Sequence, residues 1–245
     1  FSGTVITYEV TSSTLGTGSF DLMTSDLIPG SSIIDLDSDG DFDFVSWSNS
    51  NNPIQITNTG GDVLAVLGNS SVSLVERTVG TTNQSSVGGA FALTAVSGDI
   101  NVNITTSFVN FGAGIPSPRG LATGGLTLTD SFGSPDGAEL EANQADGSVY
   151  NALFNNGSEL FAGLGDTISL PAGGANSGVI GEDFPAGGGD TPFGQGVANI
   201  NMDINFNLSD GDQASGTFSY IVPSPGTAGL LMLGVSGGLI SRRRR

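Results

Sequence analysis

The 245-residue chain contains no Cys, no His and no Lys. That excludes Cys- and His-based zinc sites, haem and iron–sulfur ligation, Ser-His-Asp and Cys-His catalysis, Schiff-base chemistry and P-loop phosphate binding. All 24 acidic residues precede Pro223, where only Arg77 and Arg119 oppose them, and the net charge of −18 repels nucleic acid and anionic lipid while attracting divalent cations.

In chain order the segments are those of an antiparallel all-β fold. The chain starts at Phe1 and reads as a mature chain whose secretory signal has been removed. Short strands are expected at 4–10, 31–36, 42–47, 53–57, 63–67 and 72–79, with Thr59-Gly60-Gly61-Asp62 as a turn between two of them. A soft boundary at 80–89, rich in Ser, Thr, Asn and Gly, admits two lobes, although a single sandwich is preferred. Val87-Gly88-Gly89 reads as a turn before a strand at 90–96. Ile100, Val102 and Ile104 alternate with Asn and lead toward Phe108, and a further strand is expected at 121–129. Asp130, Asp136 and Glu139 are loosely spaced around Pro135 and read as a hairpin turn rather than a metal loop. The stretch 138–164 fits either a short helix or a hairpin, and 166–170 is a short strand. Ala186-Gly187-Gly188-Gly189-Asp190 is a turn. Ile200, Met202, Ile204, Phe206 and Leu208 alternate with polar residues over nine positions, the pattern of a half-buried strand, and 217–222 is the last strand. The expected architecture is an antiparallel β-sandwich or jelly-roll-like ectodomain over residues 1–222.

The motif with the clearest chemistry is Asp35-Leu-Asp37-Ser-Asp39-Gly40-Asp41-Phe-Asp43. Positions 1, 3, 5, 7 and 9 with Gly at 6 give the spacing of a calcium loop. Asp35, Asp37 and Asp39 offer carboxylates, Asp41 its carbonyl, and Asp43 closes the shell directly or through water. Position 12 is Ser46, so the bidentate Glu of an EF-hand is missing. The loop resembles the strand-flanked Asp loops of FG-GAP and VCBS-type extracellular repeats, here in one copy. The expected cofactor is a structural calcium ion, bound with an affinity on the order of 10⁻⁴ M; the alternative is a solvated acidic turn. Trp47, just beyond the loop, is expected to pack in the core.

At the C-terminus Pro223-Ser224-Pro225 precedes a weakly apolar segment, 226–240, and then Arg242, Arg243, Arg244 and Arg245. As a helix 226–240 is about 22 Å long, short of the ~30 Å hydrocarbon core. The Arg cluster suits the cytoplasmic face, leaving 1–222 outside. This order of proline motif, marginal apolar helix and Arg cluster resembles the PEP-CTERM sorting signal of bacterial exported proteins, with Ser224 where that family usually has Glu. The resemblance covers residues 223–245. It implies export to a bacterial cell envelope, surface or extracellular matrix and processing near the proline motif by exosortase, a membrane protease. An ordinary short C-terminal anchor is the alternative.

The combined expectation is a non-catalytic, secreted structural or adhesive protein that meets the membrane only through its tail and does not bind nucleic acid. Its expected partners are the sorting protease, further copies of itself in an oligomer or polymer, and an extracellular polysaccharide. Two alternatives stay open: a monomeric carbohydrate- or ligand-binding module, and a glycoside hydrolase working with carboxylates alone.

Overall fold

The computed structural model describes residues 3–28, 32–35, 43–50, 52–76, 85–115, 118–130, 137–172 and 177–223. Among these, strands dominate and the one helical element is a 3₁₀ turn, Thr24–Asp26. The strands in chain order are β1 (Thr4–Ser12), β2 (Gly16–Met23), β3 (Ile33–Ile34), β4 (Phe44–Ser48), β5 (Ile54–Thr57), β6 (Val63–Leu67) and β7 (Ser71–Val75). Next come β8 (Ser85–Ala95), β9 (Ile100–Thr106), β10 (Val109–Ile115), β11 (Arg119–Thr129), β12 (Ala138–Ala142), β13 (Tyr150–Phe154) and β14 (Glu159–Leu164). The last are β15 (Ile168–Leu170), β16 (Ser177–Phe184), β17 (Thr191–Pro192), β18 (Val197–Leu208) and β19 (Gln213–Val222).

They form two antiparallel sheets packed as a sandwich. Sheet I has nine strands in the order β14-β13-β18-β9-β1-β2, with β10, β12 and β15 alongside. Sheet II has ten, in the order β16-β11-β19-β8-β7-β4-β3, with β5, β6 and β17 alongside. Long strands organise both sheets by pairing with two short strands laid end to end. In sheet I, β18 pairs with β9 and β10 on one side and with β12 and β13 on the other. In sheet II, β8 pairs with β7 through its first half and β6 through its second.

Period-2 alternation sets the core. The five apolar side chains read from β18 are all buried, and Phe206 stacks on Phe91 of β8 with ring centroids 5.9 Å apart. At ~2 kcal/mol each these five supply a gross burial term on the order of 10 kcal/mol, most of which offsets the entropy of ordering the strand. Tyr150 crosses from sheet I, and its hydroxyl donates to the Gly125 carbonyl of sheet II at 2.7 Å. The crossing needs Gly216, where a Cβ would collide with the phenol oxygen and with Phe91. Burial pushes the phenols of Tyr8, Tyr150 and Tyr220 upward from their ordinary pKa.

Two local expectations change, and a third, left open between a helix and a hairpin, is settled for the hairpin. Val87-Gly88-Gly89 is not a turn but lies inside β8. There Gly89 faces the Ser71 carbonyl and the Phe218 ring so closely that a Cβ would clash with both. The glycines signal close packing between neighbours, not chain reversal. The segment between β11 and β12 is not a hairpin turn: β11 belongs to sheet II, with β16 and β19 as neighbours, and β12 to sheet I, so the chain crosses between sheets. The stretch 138–164 holds three strands, β12 and the hairpin β13–β14, whose turn places Asn155 and Asn156 at positive φ.

Candidate functional site

Of the sequence-predicted calcium ligands, Asp35 and Asp43 are described; Asp37, Asp39 and Asp41 lie outside the described residues. The register pairing Ile33 with Val45 and Ile34 with Phe44 places Asp35 opposite Asp43 across the β3–β4 hairpin. Asp43 is 7% exposed; its N–H donates to the Ile34 carbonyl at 2.9 Å and its own carbonyl accepts from Glu76 N–H at 2.7 Å. These backbone bonds hold the mouth of the Asp loop onto β4 and β7. Pro223 directly follows β19, whereas Ser224, Pro225 and Arg242 to Arg245 lie outside the described residues. Among the described residues no group of three or more Asp and Glu converges as a metal site, and no helix is long and apolar enough to cross a membrane.

The two flanks of the sandwich, where the edges of its sheets meet, differ. On the flank of β2, Gly18 bridges Asn58, the residue after β5. Asn58 organises the turn 59–62: its Oδ1 accepts from the Gly60 and Asp62 N–H groups at 2.9 Å each, and its Nδ2 reaches across to the Leu15 carbonyl at 2.7 Å. Lower on the same flank the rings of Phe20 and Trp47 sit 6.0 Å apart, and Phe20 lies 6.2 Å from Tyr8. Trp47 is thus half-buried and packs against the edge of the core. It lines a cleft of about 330 Å³ with Asp26, Leu27, Ile28, Ser32, Ser46 and Ser48.

On the opposite flank β16 ends sheet II, with β11 as its one strand partner among the described residues. Its eight residues are exposed or half-buried, with Val179 73% exposed. Beyond Phe184 the chain bulges through 185–190 and returns to β11 as β17. Arg119 pins the bulge through a 2.9 Å ion pair from Nε to the Asp190 carboxylate and a 2.6 Å bond to its carbonyl. Phe161 of β14 stacks on Phe193 at 4.3 Å and meets Phe184 edge-on at 5.2 Å, so the aromatic rings clamp both ends of the bulge. Sequence reasoning missed β16 because Ser-Gly-Val-Ile-Gly-Glu-Asp-Phe has two glycines and an imperfect alternation. β2, with four polar or glycine residues at its start, and β10 were missed for similar reasons.

The outer face of sheet I carries polar side chains that satisfy one another. Asn101 donates to Asn205 and Asn207 at 2.9 and 3.0 Å, Asn207 to Glu141 at 2.9 Å, Thr7 to Asp21 at 2.6 Å and Thr105 to Asp203 at 3.2 Å. Burial raises the Asp203 carboxyl above its ordinary pKa, against the lowering effect of hydrogen bonds from Gln144, Thr105 and the Ile204 backbone. At one end of the sandwich Asp99, Glu139, Glu141, Asn207 and Ser209 line a shallow cavity of about 250 Å³. Its Asp99 serves a neighbouring turn, accepting from Asp210 N–H at 3.1 Å, while the Asp210 carboxylate beside the cavity accepts from Gly98 N–H at 2.8 Å.

No protein-family model and no curated protein matches this chain. Among solved structures it is similar to the enzymatically active domain of tailspike protein 4 from bacteriophage CBA120, at 14% identity and a TM-score of 0.25, covering 74% of this chain and 19% of that one. It is also similar to a structure of the infectious bursal disease virus Gx strain, at 12% identity and a TM-score of 0.29, covering 91% of this chain and 56% of that one. The chain thus spans about a fifth of the first and just over half of the second, and likeness this weak transfers neither architecture nor activity.

Proposed function

We propose that this chain is a non-catalytic structural or adhesive protein of a bacterial cell surface or extracellular matrix, which associates with its own copies by strand pairing along β16. The carrying observation is the open edge itself: eight residues whose outer side has no strand partner among the described residues, next to a face on which Val179 is exposed. Such an edge adds a further strand by main-chain hydrogen bonding. Charge selects the orientation. Glu182 and Asp183 lie together near one end of β16. Parallel in-register pairing stacks them at ~5 Å, whereas two-fold antiparallel pairing separates the two Glu182 residues by three positions, about 10 Å. That exceeds the ~8 Å screening length at physiological salt. In the same reading, calcium held by Asp35 to Asp43 stiffens the β3–β4 hairpin, with the opposed Asp35 and Asp43 at its mouth in support. Residues 223–245 act as a PEP-CTERM-like sorting segment read by an exosortase-like protease.

Sedimentation velocity of the full chain tests the association. It is expected to increase with concentration and with salt, because the net charge of −18 opposes it. Val179→Lys is expected to weaken it at least tenfold while changing stability by no more than about 0.5 kcal/mol. A wild-type chain that stays monomeric at millimolar concentration and 0.5 M salt rejects the assembly reading.

A further inference from the structure

We propose that Asn156 is a self-modification site, at which the chain deamidates without an enzyme through a cyclic imide formed with Gly157. Asn156-Gly157 is the chain's single Asn-Gly step. It lies in the turn of the β13–β14 hairpin, on the edge of sheet I, and depends neither on self-association nor on calcium. Asn155, Asn156 and Gly157 follow one another at φ of 53°, 62° and 72°. A Cβ at the third of these positions would be strained, so Gly suits it, and the missing side chain leaves the Gly157 nitrogen open to approach.

The neighbours supply what ring closure needs. The Asn156 N–H donates to Asn199 Oδ1 at 2.7 Å, which fixes the orientation of the Asn199 amide. Asn199 Nδ2 therefore points the other way and donates to Asn156 Oδ1 at 2.8 Å. That bond polarises the Asn156 side-chain carbonyl and sits on the oxygen where negative charge develops when a nucleophile adds. It also turns Asn156 Nδ2, the leaving group, away from Asn199, and Asn156 is exposed to water. Asn199 is 6% exposed and donates further to Asn110 at 3.4 Å, so the donor is held in place before the reaction. The Gly157 N–H takes no acceptor among the described residues, so no hydrogen bond has to break before its nitrogen attacks. Beside it, 3.9 Å from where a Gly157 Cβ would stand, lies Asn201 Oδ1, a buried acceptor with no hydrogen-bond partner among the described residues. An orphaned acceptor is relieved by any N–H that turns toward it during closure. Hydroxide takes the Gly157 amide proton, the nitrogen bonds to Asn156 Cγ, and the Cγ–Nδ2 bond breaks, Nδ2 leaving as ammonia with a proton from water. A water then opens the imide at either carbonyl and leaves an aspartate or an isoaspartate at position 156. One water is consumed and one ammonia released; the product adds a negative charge to the turn and, in the isoaspartyl form, a further backbone carbon.

The experiment incubates the full chain at mildly alkaline pH, either folded or unfolded in guanidinium chloride. Mass spectrometry follows the amide-to-acid mass change on the peptide that spans position 156, and enzymatic methylation scores isoaspartate. Conversion in the folded chain is expected to be at least as fast as in the unfolded one. The other Asn residues, none of them followed by Gly, are expected to stay intact over the same period and serve as internal controls. Asn199→Asp keeps an oxygen for the Asn156 N–H but removes the donor to Asn156 Oδ1. It is expected to slow conversion at least about fivefold in the folded chain and to leave the unfolded rate unchanged, a difference that the flanking sequence alone would not produce. A wild-type chain that converts more slowly folded than unfolded overturns the inference, because the fold then protects Asn156; this comparison needs no variant to fold. So does an Asn199→Asp rate equal to wild type in the folded chain.

Discussion

The two flanks solve the same problem in opposite ways. Each is a place where both sheets run out of strands, and exposed strand edges invite pairing with other chains. The β2 flank is closed by contacts that join sheet I to sheet II: the Gly18–Asn58 bridge, the Asn58 bond to Leu15 and the Phe20–Trp47 pair. Among the described residues the β16 flank keeps its edge, and its order comes from the pinned bulge at 185–190 and the Phe161, Phe184 and Phe193 rings beside it. The difference teaches that an acidic chain can leave one strand edge open if the other is sutured by side-chain and backbone bonds of its own. Stability is expected to reside on the first flank and association on the second.

The largest expected effect comes from opening the closed flank. At Gly18 an added Cβ meets the carbonyl group of Thr57, which is backbone and cannot swing aside. Gly18→Val is therefore expected to cost about 3 kcal/mol, roughly 6–12 °C in Tm by calorimetry, and to make β2 a second association edge. Asn58→Ala removes the bond to Leu15 and two turn-organising acceptor contacts, for an expected loss of about 2 kcal/mol read from urea unfolding. By contrast Val179→Lys on the open flank should barely move the unfolding midpoint. If it destabilises as much as Gly18→Val does, the division of labour between flanks fails.

The smallest effect lies between the flanks, at Asp203 in the middle of sheet I. Burial disfavours its ionised form, so the folded carboxyl holds its proton more tightly than the unfolded one, whose pKa is 3.8. The charge therefore costs stability above the folded pKa, and the cost fades as pH falls through that value and is gone below 3.8. Asp203→Asn is expected to raise Tm modestly at pH 7 and to leave it unchanged near pH 3, without altering association at either pH. A Tm gain that persists undiminished at pH 3 would mean the carboxylate is not the source.

The fold class was legible because strict alternation leaves few options: the 200–208 pattern gives β18 its five buried side chains, and 100–104 gives β9 its partner face. What alternation does not encode is which strand lies beside which. Asp130 to Glu139 reads as a hairpin turn because turn chemistry is local, whereas the crossing between sheets is dictated by the neighbours β11 already has. Gly88 and Gly89 mislead for the same reason, since a glycine that admits a neighbouring chain and a glycine that reverses its own look alike. Of the candidate sites, the Asp loop is visible as spacing, and the structure adds that Asp35 and Asp43 oppose one another. The contact of Asn156 with Asn199 is not visible at all: the two become neighbours only because β13 pairs with β18 and Phe154 stands opposite Ile200.

The last two strands carry a consequence for how the molecule is made. β18 is the hub of sheet I, paired with β9, β10, β12 and β13, and β19 lies between β8 and β11 in sheet II. The four residues 209–212 that join them cross from one sheet to the other. A chain emerging N-terminus first can form its local hairpins, β1–β2 and β13–β14, but leaves a strand-wide slot in each sheet until residue 222 is free. Closing those slots brings together residues more than 100 positions apart, the slow class of folding event. The local hairpins are therefore expected to form early, and the two sheets to be completed only when this last pair of strands enters.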